Sequence, residues 1–541
     1  MSQTHPVSPE KTILGHPTGL FVLFFTEMWE RFSYYGMRAI LVLYLVGQTD
    51  AENAGLGWTE PNALKLYGWY TMLVYVMSIP GGIIADRVLG QKRSVLIGGI
   101  LLCIGHGVLA VEEMWAFYTG LIFIILGVGM LKPNISTMVG GLYKKGDIRR
   151  DKGFTIFYIG INLGAFLSSL IVGYVGETIG WHYGFGLAGI GMVLGQIVYM
   201  TGQKHLVGVG DLVKGKRDEV IASSGVGESK GLLDDGKASI TKSEGQSDVS
   251  DINLFSVMLK TPWTLACTIL AIPVGITLAL YVNDSLGFFT GVLFFLLAFF
   301  GAMFKDLNKI EKDRISVVLI SFAIVVVFWG AFEQAGGLMN LYTKNKTDRM
   351  LLGMEIPASV FQSLNAAFIM IFGAFVANYW ARRKFKSKES SSLFKMAIGT
   401  VIMGSGFLFM TAAAAEYDST GSSAMYWLIL AYLFHTIGEL CASPVSLSFI
   451  TKLSPLRYGS IMMGTYFAMT GFGNKLAATI GESSESLGEY VIFTGIAVFC
   501  AAFGLLIIVL LKKLKRLTHG AEDNEGTINE EAEGFELADG E

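Results

Sequence analysis

The chain has 541 residues, of which 52% are hydrophobic and 16% charged, and its net charge is -3 at neutral pH. Soluble proteins carry about 25% charged residues, so this composition excludes a soluble globular protein and predicts one that crosses a membrane many times. The basic residues lie in loops between apolar segments instead of forming one stripe, which excludes nucleic acid as a partner.

Fourteen apolar segments are long enough to cross a lipid bilayer, whose core requires about 20 apolar residues of helix. Six of them come first, at 20–46, 64–86, 95–112, 115–139, 154–176 and 183–202. Eight follow, at 262–282, 286–304, 315–342, 357–381, 394–415, 424–450, 457–480 and 490–511. Residues 1–18 lack the basic and apolar pattern of a cleaved signal, so the first segment is expected to remain in the protein.

A polar stretch rich in Gly, Ser, Asp and Lys separates the two groups of segments. It has no apolar periodicity, and we expect a flexible cytoplasmic linker over 203–256. The pair of segments at 262–304 exceeds a six-plus-six count and predicts a transmembrane hairpin with a tight outer turn at Asn283-Asp284. The sequence therefore predicts an all-α polytopic membrane protein with these parts: a six-helix bundle at 18–202, the linker, the inserted hairpin at 257–306, a second six-helix bundle at 307–516 and an acidic cytoplasmic tail at 517–541.

Loops rich in basic residues alternate with acidic loops along the chain. The basic loops lie at 87–93, 144–152, 382–388 and 512–516, and the acidic loops lie at 50–60, 112–113, 416–418 and 482–489. Only Lys344, Lys346 and Arg349 break the alternation. Because basic loops face the cytoplasm, both termini are predicted to be cytoplasmic.

The first apolar segment carries four charges, Glu27, Glu30, Arg31 and Arg38. Each costs about 3 kcal/mol at the centre of a bilayer unless it is paired or faces water inside the protein. At about 100° per residue, these four and Tyr34 fall within an arc of roughly 100° on one helix face, which must look inward. One interpretation is a static ion-pair network that locks helix packing, with Glu27 and Arg31 paired at i,i+4. The other is a pathway for protons and a solute, since a nearby cation changes the proton affinity of a carboxylate.

Polar residues also interrupt the later segments. Lys132 lies inside an apolar run, where it either extends to the cytoplasmic end or meets a carboxylate, for which Glu27 and Glu30 are the candidates. Asn162 and Asn365 lie within two further segments. Each is interpreted either as a hydrogen-bonding bridge between helices or as a ligand of a solute.

Two more carboxylates, Glu333 and Glu439, lie near the middle of segments in the second half. If the first half contributes the cations Arg38 and Lys132 and the second contributes Glu439, the cavity between them has two poles. Such a cavity suits a zwitterionic solute.

Signatures of enzymes and metal sites are weak in this chain. A nucleophile-elbow pattern at 227–231 and a phosphate-loop spacing at 231–237 both fall in the linker, without the strand that either motif needs before it. His435 and Glu439 share a helix face, but no third metal ligand is within reach by sequence. We therefore expect neither an enzyme nor a metal site.

Four motifs on different segments together resemble a known family. Residues 27–36 resemble the E-x-x-E-R-F-x-Y-Y-G signature of the proton-dependent oligopeptide transporters, a branch of the major facilitator superfamily, and 157–164 resemble their F-Y-x-x-I-N-x-G signature. The motif F-Q-S-L-N stands at 361–365, and G-E-L-x-x-S-P-V-x-L-S-x-x-T-K stands at 438–452. The similarity runs over about 17–513, and the two surplus helices match bacterial members.

The resemblance implies a proton-coupled symporter that imports di- and tripeptides by alternating access, in a bacterial inner (plasma) membrane, with the proton as coupling ion and no other cofactor. It implies proton coupling by Glu27, Glu30, Arg31 and Lys132, with Glu333 in a gating pair. The implied substrate-binding residues are Arg38 and Lys132 for the peptide carboxylate, Asn162, Asn365 and Glu439 for its amino end, Tyr34, Tyr35, Tyr70, Trp329 and Tyr466 for side-chain pockets, and Ser443.

Two departures from the family pattern qualify this expectation. The second segment has no histidine, which animal members use for protonation, so coupling is expected to depend on carboxylates and Lys132. Tyr466 stands where relatives often have Trp, which leaves the pocket preference open. Two alternatives remain at this point: the same scaffold carrying another small charged solute such as nitrate, and a membrane sensor that binds its ligand without transporting it.

Overall fold

The computed structural model describes residues 12–144, 147, 149–212 and 261–521, and most of them are helical. The helices described before residue 213 are α1 (Thr18–Val46), α2 (Glu60–Val76), α3 (Ser78–Ile84), α4 (Gln91–Leu109), α5 (Met114–Gly141), α6 (Arg149–Ser168), α7 (Tyr174–Thr178) and α8 (Trp181–Gly202). After it come α9 (Pro262–Tyr281), α10 (Asp284–Asp306), α11 (Lys309–Phe332), α12 (Leu338–Lys346), α13 (Ser363–Phe385), α14 (Ser392–Thr420), α15 (Met425–Leu453), α16 (Gly459–Glu482), α17 (Ser484–Leu487) and α18 (Glu489–Leu517).

Shorter elements join these helices. Two π-helical turns, Ala85–Leu89 and Ser169–Gly173, continue α3 and α6, and 3-10 turns lie at Gln203–His205, Glu333–Ala335, Ala358–Gln362 and Leu456–Tyr458. Three two-residue strand pairs complete the described structure: Thr12–Ile13 with His16–Pro17, Thr347–Asp348 with Ser423–Ala424, and Met350–Leu351 with Met354–Glu355.

Local sequence explains where several helices begin and end. Pro61 and Pro262 occupy the first helical positions of α2 and α9, where a missing N–H costs nothing. Asn308 and Glu311 form a reciprocal capping box at the start of α11. Gly421 ends α14 with φ 82, a left-handed conformation that glycine adopts without steric cost.

Helices α1 to α8 form the first bundle, with α1 near its centre. α1 packs along α6 and α8, and almost every turn of it is buried on all sides. The bundle surrounds one hydrophobic cluster that includes Leu41, Ile124 and Phe185. Lipid tails are as apolar as these side chains, so the hydrophobic effect does not drive the helix into the bundle. Close packing against its neighbours stabilises it instead.

Helices α11 to α18 form the second bundle, which has two hydrophobic clusters. The two bundles meet along two seams, where α2 packs on α16 and α6 packs on α13. The hairpin of α9 and α10 lies beside the first seam, with Phe288 of α10 between Trp69 of α2 and Phe472 of α16.

Twelve helical stretches in the described part of the chain are long and apolar enough to cross a membrane. Two more long helices, α1 and α16, fall outside that criterion but pack inside the bundles. Together they make the fourteen predicted spans, and the predicted all-α fold of two six-helix bundles plus a hairpin is confirmed.

The predicted linker differs at its start. Residues 203–212 fold against the first bundle, where Leu206 is fully buried and the carbonyl of Gly210 accepts a hydrogen bond from the Lys92 amide at 3.0 Å. Here the flexible linker predicted over 203–256 is wrong, because an apolar side chain and backbone bonds fix this segment. The rest of that linker, at 213–256, lies outside the described residues, as do residues 522–541 of the tail predicted over 517–541.

Two neighbouring glycines on α3 test how closely the first bundle is packed. A Cβ at Gly81 would lie 2.0 Å from the carbonyl oxygen of Gly129 on α5, whereas a Cβ at Gly82 would meet nothing within 4 Å. We expect Gly81→Ala to destabilise the protein by about 1–3 kcal/mol, because backbone must move to admit the methyl group. Thermal unfolding in detergent should show a lower midpoint for Gly81→Ala than for its control Gly82→Ala; equal midpoints would contradict the packing described.

Candidate functional site: a charged seam between two helical bundles

The first group of charges lies on α1 and is completely buried. Arg31 Nε donates a hydrogen bond to Glu27 Oε1 at 2.8 Å and lies 2.9 Å from Glu30 Oε2. The Nε atom has a single hydrogen, which points at Glu27, so Glu30 is ion-paired without accepting a hydrogen bond. Within the described part of the chain, both Glu30 oxygens are buried and lack a donor. Among the described residues, Glu30 is therefore the carboxylate of this group that accepts no hydrogen bond at all, whereas Glu27 accepts one through Oε1 and leaves only Oε2 without a donor.

Lys132 lies on α5, beside Pro133 inside the helix. Its Nζ atom is 3.7 Å from the centroid of the Tyr75 ring on α2, a cation–π contact. Among the described residues it has no ion pair within 4.0 Å, so the direct pairing predicted with Glu27 or Glu30 is not formed. Its charge still acts on both carboxylates. Lys132 thus faces the same space as the α1 cluster while its ammonium has no carboxylate partner.

Arg38 lies two helical turns beyond Arg31 on the same face of α1 and bonds to the second bundle. Its Nη1 atom donates to both oxygens of Glu333, at 2.9 and 3.1 Å, and Tyr67 of α2 donates its hydroxyl to Glu333 Oε1 at 2.5 Å. The Arg38 Nε atom is buried and has no partner among the described residues. Glu333, predicted to belong to a gating pair, therefore joins the two bundles through Arg38 and Tyr67.

More bonds join the bundles near the same end, which we call the outer end because α1 is predicted to finish outside. Glu177 of α7 accepts hydrogen bonds from the backbone amide and the hydroxyl of Ser359, at 2.7 and 2.6 Å, and lies 3.3 Å from Lys344 of α12. Asn340 donates to the carbonyl of Ala39 at 2.8 Å. The outer end of the seam is closed.

The second bundle contributes an anion with neutral partners. Glu439 of α15 accepts a hydrogen bond from Asn365 of α13 at 2.8 Å, and Asn365 also donates to Thr436 at 3.1 Å. Asn162 of α6 donates to the carbonyl of Tyr158 on its own helix at 2.9 Å, and the Tyr158 ring lies within electrostatic range of Glu439. Of the three residues predicted to hold an amino group, Asn365 and Glu439 are therefore bonded to each other, whereas Asn162 lies on a third helix and donates to the backbone of that helix.

Aromatic side chains fill the space between these charges. The Tyr35 ring lies 5.8 Å from the Arg31 guanidinium and 5.0 Å from that of Arg38, so it touches both cations of α1. The Tyr34 ring lies 5.4 Å from that of Tyr35 and 6.4 Å from that of Tyr70. The hydroxyls of Tyr34 and Tyr70 are buried and lack a partner within the described residues. Two polar atoms thus point into the seam with no protein group to satisfy them.

The remaining predicted residues lie on the side of the second bundle. Tyr466 shares a hydrogen bond of 3.1 Å with Ser446 and has a second contact with Trp329. The carbonyl of Ser443 accepts from the Ser446 hydroxyl at 3.1 Å. Ser443 is thus linked to Tyr466 through Ser446.

Three further positions in the contacts of the seam were not found from the sequence: Tyr67, Tyr75 and Glu177. Tyr75 lies within electrostatic range of Arg38, Glu333 and Glu439, and so connects both groups of charges. A signal was present, because Tyr67, Tyr70 and Tyr75 fall within about 140° of one another around α2. Glu177 offered none, since it directly follows the apolar segment at 154–176, where a charged residue is typical of a loop. Within the described residues no group of three His, Cys, Asp or Glu side chains could hold a metal ion.

The Arg38–Glu333 pair gives a testable prediction about the outer end. Glu333→Gln leaves a buried guanidinium without a counter-charge, which costs about 3–5 kcal/mol of the closed arrangement. In a variant without native cysteines, Leu341→Cys reports on opening, because Leu341 of α12 is buried in the cluster of the first bundle. A membrane-impermeant maleimide added outside should label Leu341→Cys at least about tenfold faster when Glu333→Gln is present.

The chain offers a matched control for that experiment. Arg349 and Glu355 also form an Arg–Glu pair, but the Glu355 side chain is 62% exposed. Exposed pairs contribute about 0–1 kcal/mol, so Glu355→Gln should leave labelling unchanged. Equal labelling with and without Glu333→Gln would show that the pair does not hold the outer end shut.

Two six-helix bundles that meet along a seam of buried, oppositely charged groups define a polytopic membrane protein built like a six-plus-six transporter. A family model described as the POT family matches residues 92–211 and 288–487. The chain belongs to this family, the proton-dependent oligopeptide transporters of the major facilitator superfamily.

Relatives match over nearly the whole chain. The uncharacterized transporter YclF of Bacillus subtilis is 36% identical, covering 95% of this chain and 97% of its own. The peptide transporter YePEPT of Yersinia enterocolitica is 33% identical, covering 95% of this chain and 98% of its own. A crystal structure of a peptide transporter POT in complex with sulfate superposes with a TM-score of 0.74 at 32% identity, covering 94% of this chain and 97% of that one.

Proposed function

We propose that the protein is a proton-coupled symporter that imports di- and tripeptides by alternating access between its two bundles. The observation that carries this proposal is the two-poled seam, with Arg31, Arg38 and Lys132 on the first bundle and Glu439 on the second. A free peptide is a zwitterion whose charges are separated by its backbone, so it can bridge the two poles. The similarity to transporters of peptides supports the same substrate class.

Each end of the peptide has a proposed place. Its carboxylate would bind Lys132, whose ammonium has no carboxylate partner among the described residues, and the free Nε–H of Arg38. Its amino group would bind Glu439, whose carboxylate Asn365 orients. Asn162, which donates to the carbonyl of Tyr158 in this structure, would add its side-chain oxygen as a second acceptor. The side chains of the peptide would contact the aromatic and hydroxyl groups that remain: Tyr34, Tyr35, Tyr70, Trp329, Ser443 and Tyr466.

The proton would enter at the α1 cluster. Protonation of Glu30 removes one of the two negative charges that hold Arg31, and it weakens the attraction of that cluster for Lys132. Both cations then act more strongly on a peptide carboxylate, so the proton and the peptide favour each other's binding. The membrane potential adds about 2.3 kcal/mol per charge for each 100 mV, beside the contribution of the pH gradient.

Release of the outer end follows from the same charges. A peptide carboxylate beside Arg38 competes with Glu333 for the guanidinium, and Glu333 is the acceptor that joins Arg38 to Tyr67. A substrate that binds more tightly to one arrangement of the bundles shifts the equilibrium toward it. Arg38 would therefore couple occupancy of the seam to opening at its outer end.

The cellular setting is part of the proposal. The alternation of basic and acidic loops supports cytoplasmic termini, and the bacterial relatives support a bacterial inner (plasma) membrane. No cofactor other than the proton is required, and the protein is proposed to be a transporter and not an enzyme.

Uptake by purified protein in sealed vesicles tests this function. With the vesicle interior more alkaline, labelled dialanine should accumulate above its outside concentration, and collapse of the gradient should abolish that excess. Excess unlabelled dialanine should block uptake, whereas nitrate should not, since nitrate has no ammonium group for Glu439 to bind. Uptake of labelled nitrate in place of dialanine would favour the anion alternative, and binding without net flux would identify a sensor.

A further inference from the structure

A large apolar groove separates the hairpin from the two bundles. Its volume is about 1170 Å³. Its walls are α2, α3 and α5 of the first bundle, α16 of the second bundle, and α9 and α10 of the hairpin, with the Ala85–Leu89 turn and the start of α4 at one end. The groove is distinct from the charged seam, because none of the proton- or peptide-binding residues proposed above lines it. It exceeds the ~300–1,000 Å³ of typical small-molecule sites.

Contacts at the outer end hold the hairpin across the bundles. Lys65 of α2 lies 2.9 Å from Asp284 of α10, and Thr479 of α16 donates to Ser285 of α10 at 3.2 Å. At the inner end Tyr458 donates to Asp306 at 2.9 Å. The groove lies between these two sets of contacts, so it is a gap in the packing that the hairpin itself maintains.

The lining has the polarity of a lipid. The long walls are aliphatic and aromatic, with Ile79, Phe295 and Phe467 among their residues. At the outer end the carboxylate of Asp284 is paired with Lys65, and most of the other polar side chains lie at the inner end. There Arg87 and Gln91 line the groove, and Arg87 is exposed and has no hydrogen bond or ion pair within the described part of the chain. Asp86 lies beside it, so the inner end carries both signs of charge.

The groove runs along helices that span the membrane, so it lies at the depth of the hydrocarbon core of the bilayer. Both the hairpin helices and the helix that contains α2 and α3 are long and apolar enough to span the membrane. Trp69 and Arg87, which line the outer and inner ends, are 18 positions apart on that helix, or about 27 Å at 1.5 Å per residue. An apolar gap at this depth is in contact with acyl chains, not water.

We propose that this groove is a binding site for a bilayer phospholipid, with an acyl chain between the hairpin and α3 and the phosphate at Arg87 and Gln91. The site gives the hairpin a role: it holds a lipid against the seam between α2 and α16. Because the walls come from both bundles, movement of one bundle relative to the other changes the width of the site. Lipid binding therefore favours one arrangement of the bundles over another.

A glycine in the wall allows the groove to be filled without disturbing the fold. A Cβ at Gly82 meets nothing within 4 Å, and Gly82 lines the groove. Gly495 on α18 also has open space at its Cβ but lies away from the groove, so Gly495→Trp is a matched control. Loss of even two buried methylenes weakens binding about tenfold, so Gly82→Trp should weaken lipid affinity by at least that factor.

The measurement is a titration of the detergent-purified full chain with phosphatidylglycerol, and separately with phosphatidylethanolamine, followed by native mass spectrometry of the protein with one lipid bound. Wild type and Gly495→Trp should bind with equal affinity, and Gly82→Trp at least about tenfold more weakly. Equal affinity of Gly82→Trp and wild type would overturn the proposal.

The charged end is tested independently by Arg87→Gln. Removal of one basic group near the membrane surface costs about fivefold in the affinity for a phosphate-bearing lipid, and the loss should be similar for the two headgroups because both contain the phosphate. Unchanged affinity in Arg87→Gln would contradict the placement of the phosphate. These binding measurements use no transport assay, so they stand or fall separately from the proposed function.

Discussion

Glu30→Gln should abolish uphill accumulation of dialanine while leaving exchange of dialanine across the membrane intact. A pH gradient of one unit supplies about 1.4 kcal/mol per proton, which sustains about tenfold accumulation at equilibrium. With glutamine at position 30 the transported proton has no site, so accumulation should fall to equal concentrations on both sides. Exchange needs only binding and movement of the bundles, and it should stay within about threefold of wild type.

The local geometry allows this substitution to change the charge of residue 30 without disturbing the hydrogen bonds around it. Glu30 accepts no hydrogen bond among the described residues, so the amide replaces the carboxylate without breaking one. Arg31 keeps its 2.8 Å hydrogen bond to Glu27 and therefore a counter-charge. The change thus removes a proton site while preserving the shape of the cluster.

An exposed carboxylate serves as the control for Glu30→Gln. Glu113, before α5, is exposed and caps no helix with its side chain, so Glu113→Gln should accumulate dialanine like wild type. If Glu30→Gln still drives accumulation, Glu30 is not the coupling site. If instead accumulation and exchange are lost together with the folded protein, the α1 cluster is the static ion-pair network considered from the sequence.

Periodicity and the cost of buried charge were enough to predict the fold and much of the seam. The four charges of α1 lie on one helix face whichever of them pair with each other, because the spacing of residues around a helix sets the side from which each side chain projects. Glu439 and Asn365 stand inside apolar runs, where a polar group must find a partner, and they find each other. Such inferences need no tertiary coordinates.

Contacts between distant segments could not be predicted in the same way. Arg38 and Glu333 are far apart in sequence, and either could pair with several opposite charges; the approach of α1 to the end of α11 decides the choice. Lys132 was expected to meet a carboxylate, but the packing of α2 against α5 places the Tyr75 ring over its ammonium. The first ten linker residues mix four polar side chains with four apolar ones and two glycines, and the fully buried Leu206 docks them on the first bundle.

Glu439→Gln should raise the KM for dialanine about ten- to hundredfold with a smaller change in the maximal rate. Charge-assisted hydrogen bonds contribute about 1.5–3 kcal/mol, and the amide keeps the size of the side chain while it loses the charge that attracts an ammonium group. Uptake of labelled dialanine in vesicles, measured over a range of concentrations, gives both constants. Exposed Glu485 provides the control, since Glu485→Gln should leave the KM unchanged.

The same variant also distinguishes an amino-group site from a general loss of binding. N-acetylated dialanine carries no ammonium, so it should compete poorly with dialanine in wild type and lose nothing further in Glu439→Gln. In a double-mutant cycle over the two changes, one to the protein and one to the peptide, the coupling energy is large only if the two groups interact. Additive losses would place the amino group elsewhere and remove the negative pole from the proposed site. Strong coupling would show that the peptide's amino group binds Glu439, on the second bundle, while the cations lie on the first. Only a solute with both charges could then bind both bundles at once.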